Sequence, residues 1–295
     1  MTEIAVKAPA KINLTLKVCG RRADGFHNIK SVMQKLNLTD EILLRKANQQ
    51  IRLSCPGSNL PEDENNIAFK AAQTFFKYSG LKIGVEIELH KAIPTAAGLG
   101  GGSSDAAAVL MGLNKLFNTD YSPAVLRKLG AELGADVPFF ITAGGSALAT
   151  GTGTTLKELP GIRDVWFVLV NPGFSVSTKW VYDNFRLTTA EKPDILCGYS
   201  KSGNMILLPE DITRLMSWAD TEFPFNDLEA VTAASYPIIN DIKGRLLNSK
   251  AAAALMSGSG PTVFGIFANH HEAEICSRAC RAFYPWVKLC DVWPT

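Results

Sequence analysis

Gly98, Gly100, Gly101 and Gly102 stand within five residues. Before them Val85, Ile87 and Leu89 alternate with Glu86, Glu88 and His90, and after them runs the Ala-rich stretch Ser103 to Leu116. The order is strand, glycine run, helix. Glycine lets the backbone adopt positive φ and come close to a ligand, and a helix start offers unpaired N–H groups and partial positive charge. Pro94 to Asp105 therefore reads as a phosphate cradle made of backbone. Such a cradle needs no surplus of cations, and the chain has almost none, with 30 Lys+Arg against 28 Asp+Glu. That balance gives no support for a nucleic-acid partner. Ser103 and Ser104 can add hydroxyl donors, cap the helix or ligate Mg²⁺. Two commoner phosphate loops are excluded: no Gly-Lys pair is present, and Ser103 stands where the last glycine of G-x-G-x-x-G would fall.

Around this loop the pattern predicts α+β structure in both halves. Ile12, Leu14, Leu16 and Val18 alternate with polar neighbours as a half-buried strand. A second, bent strand is expected over Ser31 to Leu44. Ile67, Ala71, Phe75 and Tyr78 recur at helical spacing, and Ser122-Pro123 opens a further helix. In the second half, strands are expected at Val165–Val170, Ala252–Met256, Thr262–Phe267 and Val287–Asp291. Helices are expected at Asp227–Ala234, Ile238–Asn248 and Glu272–Phe283. Thr188 to Asn204 reads as a long loop.

At 295 residues the chain is sized for about two domains, divided near Gly161. Its longest apolar runs are far too short to span a bilayer, so no membrane partner is expected. Met1 to Lys7 has no apolar core like that of a signal peptide. Cys19, Cys55, Cys197, Cys276, Cys280 and Cys290 form no C-x-x-C pair and read as reduced thiols. The expected location is cytoplasmic. His270-His271 has no accompanying ligand set and reads as an exposed helix edge, not a metal site. Cys276 and Cys280 read as core thiols.

Pro94 to Ala106 resembles the central motif of the GHMP kinases, the superfamily of galactokinase, homoserine kinase, mevalonate kinase and phosphomevalonate kinase. Pro9-Ala-Lys-Ile-Asn-Leu14 and Ser257-Gly-Ser-Gly-Pro-Thr262 resemble its first and last motifs, so the resemblance spans almost the whole chain. Gly20-Arg-Arg-Ala-Asp-Gly-Phe-His27 and Gly134-Ala-Asp-Val-Pro-Phe-Phe140 are similar to the branch whose acceptor is 4-diphosphocytidyl-2-C-methyl-D-erythritol. The implied fold has a ribosomal S5 domain 2-like N-terminal half (1–161, binding ATP) and a ferredoxin-like C-terminal half (162–295). The implied reaction moves the γ-phosphoryl group of ATP, with Mg²⁺, to the 2-hydroxyl of that substrate in the non-mevalonate route to isoprenoid precursors. A mevalonate- or homoserine-type kinase, or a non-catalytic nucleotide- or RNA-binding module, stays as the alternative. A monomer or homodimer is expected.

The resemblance also implies roles for particular residues. Lys11 and Asp136 correspond to the catalytic pair. Pro94, Gly98, Leu99, Gly100, Gly101, Gly102, Ser103 and Ser104 correspond to the ATP loop. Asn13 shares a strand face with Lys11 and is a candidate substrate partner. Phe26 and His27 are expected at the cytosine ring, Phe26 by stacking and His27 by hydrogen bonding. Many family members carry Tyr where Phe26 stands, so a hydroxyl is lost but the ring remains. Tyr182 is the expected second stacking ring, with Trp180 and Phe185 as competitors. Gly258, Ser259 and Gly260 form a second glycine-rich loop that closes over the substrate. Arg21-Arg22 either meets the substrate diphosphate or is simply exposed.

Overall fold

The computed structural model describes residues 1–186, 210–219 and 225–294, with only the backbone of 215–219. The expected Thr188–Asn204 loop and Cys197 lie outside the described residues. In chain order the first half contains β1 (Glu3–Arg21), β2 (His27–Ala47), β3 (Ile51–Ser54), α1 (Ile67–Ser79), β4 (Gly84–His90), α2 (Gly101–Leu116), α3 (Pro123–Leu133), α4 (Val137–Phe140), β5 (Ser146–Gly151) and β6 (Thr155–Leu159). The second half contains β7 (Trp166–Asn171), α5 (Thr178–Asn184), α6 (Glu210–Ala219), β8 (Phe225–Asn226), α7 (Glu229–Ser235), α8 (Ile238–Asn248), β9 (Ala253–Met256), β10 (Val263–Phe267), α9 (His270–Cys280) and β11 (Trp286–Asp291). Among the described residues, no helix is long and apolar enough to cross a membrane.

Contacts gather the chain into two compact units. The first comprises Met1–Ala10, Leu38–Thr95 and Gly100–Ala143; the second comprises Lys11–Asn37, Ala96–Leu99 and Gly144–Thr295. In the first unit β4 pairs antiparallel with the end of β2, from Glu41↔His90 to Ala47↔Gly84, and parallel with β3. The alternation in β4 is as expected: Val85, Ile87 and Leu89 are buried. Asn66 caps α1 by accepting from the Ala68 N–H at 2.9 Å, and Ala68, Ala71, Ala72 and Phe75 form its buried stripe. Tyr78, expected on that stripe, is largely exposed. Small residues let α2 sink deeply: Ala106, Ala107 and Ala108 are buried, and a Cβ on Gly112 would overlap Leu44. Ser122 caps α3 as predicted, with Pro123 at its first position.

In the second unit one expectation holds only in part. Of the polar residues that alternate along this strand, Lys17 and Cys19 are exposed as a half-buried strand requires, but Asn13 and Thr15 are as buried as Ile12, Leu14 and Leu16, and so is Lys11. Burial is tolerable because each polar group is hydrogen-bonded. Lys11 Nζ donates to Asn13 Oδ1, Asn13 Nδ2 donates to Ser31 Oγ, and Thr15 Oγ1 accepts from the Val32 N–H. Neither β5 nor β6 was anticipated. They pair with each other, and β5 also pairs with the start of β2.

The four-stranded antiparallel sheet lies in the order β11-β7-β10-β9. With α8 and α9, the chain order β7-α8-β9-β10-α9-β11 is the ferredoxin-like arrangement expected for this half. Val168, Val170, Met256, Val263 and Phe267 pack with Ile239, Ile242 and Leu246 of α8 and with Ala273, Cys276 and Cys280 of α9. Both cysteines are thus core thiols. Phe167, Leu169, Phe264 and Ile266 are fully buried too, which explains why β7 and β10 read as continuous apolar runs rather than alternating ones.

Phe264 stacks edge-on against Phe167, with centroids 6.2 Å apart. Replacing it with Ala should destabilise the protein by about 3–5 kcal/mol, read from the urea midpoint and slope. A loss below about 1 kcal/mol would mean that the sheet repacks around the gap.

Candidate active site

In the second unit the site is built on β1. The backbone N–H of Lys11 donates to the Leu99 carbonyl at 2.9 Å, tying the strand to the glycine-rich loop. Lys11 Nζ donates to Asn13 Oδ1 at 2.6 Å. Ser31 Oγ donates to the Thr15 carbonyl at 2.6 Å and accepts from Asn13 Nδ2 at 2.8 Å. That sets which way the Asn13 amide faces, so its oxygen is turned to the ammonium. Ser31 has no motif to mark it in the sequence; a small hydroxyl on a neighbouring strand is recognisable only after pairing.

Two glycine-bearing loops meet here. Ser257 Oγ donates to the Gly98 carbonyl at 2.9 Å and accepts from the Asn13 N–H at 3.4 Å. The Thr262 N–H donates to the Ala97 carbonyl. Gly98 has φ +77°, and a Cβ there would collide with the Ser257 carbonyl. Gly258 has φ +57°, and a Cβ there would stand 3.3 Å from Asn13 Oδ1 and 3.4 Å from Lys11 Nζ. Both positions favour glycine by conformation, and Gly98 needs it for room as well. Gly260 also has positive φ. Ser259 Oγ is hydrogen-bonded to Thr178 Oγ1 at 2.8 Å, which links this loop to the first residue of α5. The loop Ser257–Pro261 is also the connection between antiparallel strands β9 and β10.

Helix α5 carries Trp180 and Tyr182, and Phe185 follows at its end. Tyr182 stacks on His27 with centroids 5.1 Å apart and planes 25° apart. Trp180 turns its edge to Tyr236, and Phe185 packs against the small core of Leu16, Val18, Val176, Val181 and Leu228. Of the three aromatics it is therefore Tyr182 that the fold brings to the His27 loop. Phe26 is 65% exposed. The loop is shaped by Gly25 at φ +86° and by the Arg22 N–H, which donates to the Phe26 carbonyl. Arg22 forms an exposed ion pair with Asp24 at 3.0 Å.

In the first unit, Gly100 (φ +70°) caps α2 without a side chain, and no acidic residue occupies the first turn. The helix start thus offers its dipole and amides to an anion. Pro94 is half-buried on the approach to this turn and Gly101 is buried within it. Gly102 faces solvent. Ser103 Oγ lies 3.9 Å from where a Cβ of Gly134 would stand, so the serine borders the loop that ends at Asp136. Asp136 is half-buried at the start of α4, with its backbone carbonyl accepting from the Phe139 N–H. Ser104 Oγ is fully buried and has no hydrogen-bond partner.

One ionic cluster was not anticipated. Lys91 Nζ is bonded to Asp40 and, at 2.7 Å, to Asp105. Asp40 Oδ1 accepts from the N–H groups of Ala92 and Ile93 at 2.6 and 2.9 Å. Burial pushes the Asp105 carboxyl up to about 7; Lys91 opposes the rise and Asp40 adds to it. Burial also pulls Lys91 down, but the two carboxylates outweigh it and hold the ammonium above its ordinary value. An Asp inside an Ala-rich helix was the available signal for this cluster. Asp40 gave none, because it arrives from a strand far away in sequence.

Residues 66–145 match the family described as GHMP kinases N terminal domain, and residues 208–285 match GHMP kinases C terminal. The chain is 44% identical over 288 residues to a 4-diphosphocytidyl-2-C-methyl-D-erythritol kinase of Syntrophus aciditrophicus, covering 97% of this chain and 98% of that protein. It is 46% identical over 280 residues to the protein of the same name from Syntrophotalea carbinolica, covering 95% of each. This chain belongs to the 4-diphosphocytidyl-2-C-methyl-D-erythritol kinase family of GHMP kinases. A crystal structure of 4-(cytidine 5'-diphospho)-2C-methyl-D-erythritol kinase has the same fold, with a TM-score of 0.78 at 32% identity over 98% of this chain and 99% of that one. As a GHMP kinase of this family, the chain is an ATP-dependent kinase of a small molecule. The reading as a non-catalytic binding module falls away.

The Asp105 cluster predicts a pH dependence. Asp105 ordinarily titrates at 3.8 and here at about 7. Between those values the unfolded chain releases a proton that the folded chain keeps, so this group's contribution to stability falls as pH rises and levels off above the window. In metal-free buffer, the stability of the wild-type protein relative to Asp105→Asn should therefore decline from about pH 4 to about pH 7, read from urea midpoints of both proteins. A difference that climbs over that range would refute the assignment.

Proposed function

We propose that this chain transfers the γ-phosphoryl group of ATP to the 2-hydroxyl of 4-diphosphocytidyl-2-C-methyl-D-erythritol, in isoprenoid precursor biosynthesis by the methylerythritol phosphate pathway. One observation supports the cytidine-bearing acceptor above a mevalonate or homoserine: the ring of Tyr182 stacked on His27, in the loop that exposes Phe26. Small aliphatic alcohols have no base to set against such rings.

Phosphoryl transfer asks mainly for position and for charge stabilisation, with one group to take the hydroxyl proton. In this reading Asp136 accepts that proton. Lys11, aimed by Asn13, stabilises charge on the transferred group. Asn13, Gly258, Ser259 and Gly260 contact the acceptor. Phe26 covers one face of the cytosine and Tyr182 the other, with His27 at the base edge. Pro94, Gly98, Leu99 and Gly100 to Ser104 cradle the ATP phosphates on the start of α2. The ATP-binding half is taken as 1–161 and the closing half as 162–295.

Mg²⁺ suits this arrangement. Ser104 Oγ, buried and without a partner beside the helix start, is an oxygen of the kind that holds Mg²⁺ together with nucleotide phosphates. When bound, the ion would neutralise phosphate charge.

ADP release should be fast with the cytidine substrate and negligible with mevalonate, homoserine and galactose. Turnover of another alcohol alone would overturn the proposal. Asp136→Asn should lower kcat by at least ~10²-fold, the low end for losing a general base, and a nearly unchanged kcat would remove Asp136 from that role. Phe26→Ala should raise the KM for the cytidine substrate while leaving the KM for ATP in place. Equal KM values in wild type and variant would rule out stacking by Phe26.

A further inference from the structure

Asn226 is assigned no role by any of the motifs. It ends β8, a two-residue strand paired in parallel with β1 at Thr15↔Phe225 and Leu16↔Asn226. Its side chain is buried and fully engaged. Nδ2 donates to the Met256 carbonyl at 2.8 Å and to the Gly258 carbonyl at 2.7 Å, while Oδ1 accepts from the Leu228 N–H at 3.0 Å. The next residue fastens the same segment to β1, since Asp227 Oδ2 accepts from the Val18 N–H at 2.7 Å.

The two carbonyls held by Asn226 flank Ser257, the residue bonded to Gly98 and to the Asn13 N–H. Gly258 itself lies against the Lys11–Asn13 pair, where a Cβ would be in tight contact with both side chains. Asn226 is thus anchored to the strand that carries Lys11 and Asn13, and it grips the loop that packs on them. Only an amide of this length supplies two donors to the carbonyls and an acceptor to the following helix. Asp would lose both donors, and Ser would lose reach.

We infer that Asn226 is a positioning residue for phosphoryl transfer, holding Gly258 against Lys11 and Asn13 so that the ammonium keeps its place. The inference rests on the proposed role of Lys11. It does not require Asn226 to touch either substrate.

The test uses the full chain with Asn226→Ala and Asn226→Asp. ADP release is measured with ATP and the cytidine substrate, and rates are divided by the folded fraction found from far-UV circular dichroism at the assay temperature. Both variants should lose roughly 10- to 100-fold in kcat per folded molecule, the scale of a small misplacement of a reacting group. Both KM values should stay within about threefold. A merely structural residue would lower the folded fraction and leave the rate per folded molecule unchanged, and that result overturns the inference. If neither variant folds, Thr232→Val serves in their place. It removes the hydrogen bond from Thr232 Oγ1 to the Ser259 carbonyl at 3.2 Å and should lower kcat several-fold; full activity there overturns the inference as well. A wild-type protein inactive on the cytidine substrate but active on another alcohol defeats only the substrate proposal, and the variants are then assayed on that alcohol.

Discussion

The hydrogen bond from Ser257 Oγ to the Gly98 carbonyl joins two glycine-rich loops that are about 160 residues apart in the chain. Much of the site geometry in the second unit follows from it. The two backbones meet so closely that Gly98 has no room for a side chain, and Gly258 sits at positive φ where a Cβ would be in tight contact with Asn13 and Lys11. The same serine receives the Asn13 N–H, so the strand bearing Lys11 is registered against both loops at once. Leu99 then accepts from the Lys11 N–H. Lys11 is held by backbone on one side and by Asn13 on the other, and little of its placement is left to a flexible four-carbon stem.

This economy also explains how a nearly neutral chain can serve a reaction between highly charged molecules. Lys91, the cation beside Gly101 in the first unit, is not part of a loose basic patch. Lys91 is enclosed between Asp40 and Asp105, so its charge is answered inside the protein. In the proposed reading the anion meets the start of α2, which no side chain caps. In the second unit Lys11 is buried and directed. In the proposed reading charge is delivered by a few fixed groups and by backbone dipoles, which work in a low-dielectric setting better than mobile surface lysines would.

Several elements were legible in the sequence because their signal is local. The Ser122-Pro123 helix start, helix α1, the alternation in β4 and the apolar runs of β7 and β10 all lie where the pattern predicts. The elements that escaped notice depend on partners. β8 is two residues long and exists because β1 offers it an edge; β5 and β6 carry mixed polar residues and are strands because they pair with each other. On the polar face of β1, Lys17 and Cys19 are exposed, whereas Asn13 and Thr15 are buried, because Ser31, Ser257 and Val32 satisfy them from elsewhere in the fold.

The site divides along the same line. By itself the sequence determined the chemistry of the loops: positive-φ glycines beside a helix start, a lysine and an asparagine on one strand face, and an aromatic and a histidine in one turn. These are set by residue type and spacing over a few residues, where sterics and hydrogen-bond inventory act directly. Tertiary structure alone decided which groups meet. It set Tyr182 on His27, enclosed Lys91 between two carboxylates, and brought Asn226 under the Gly258 loop. Those choices depend on pairings between residues that can be about 155 positions apart, as His27 and Tyr182 are, and no local preference encodes them.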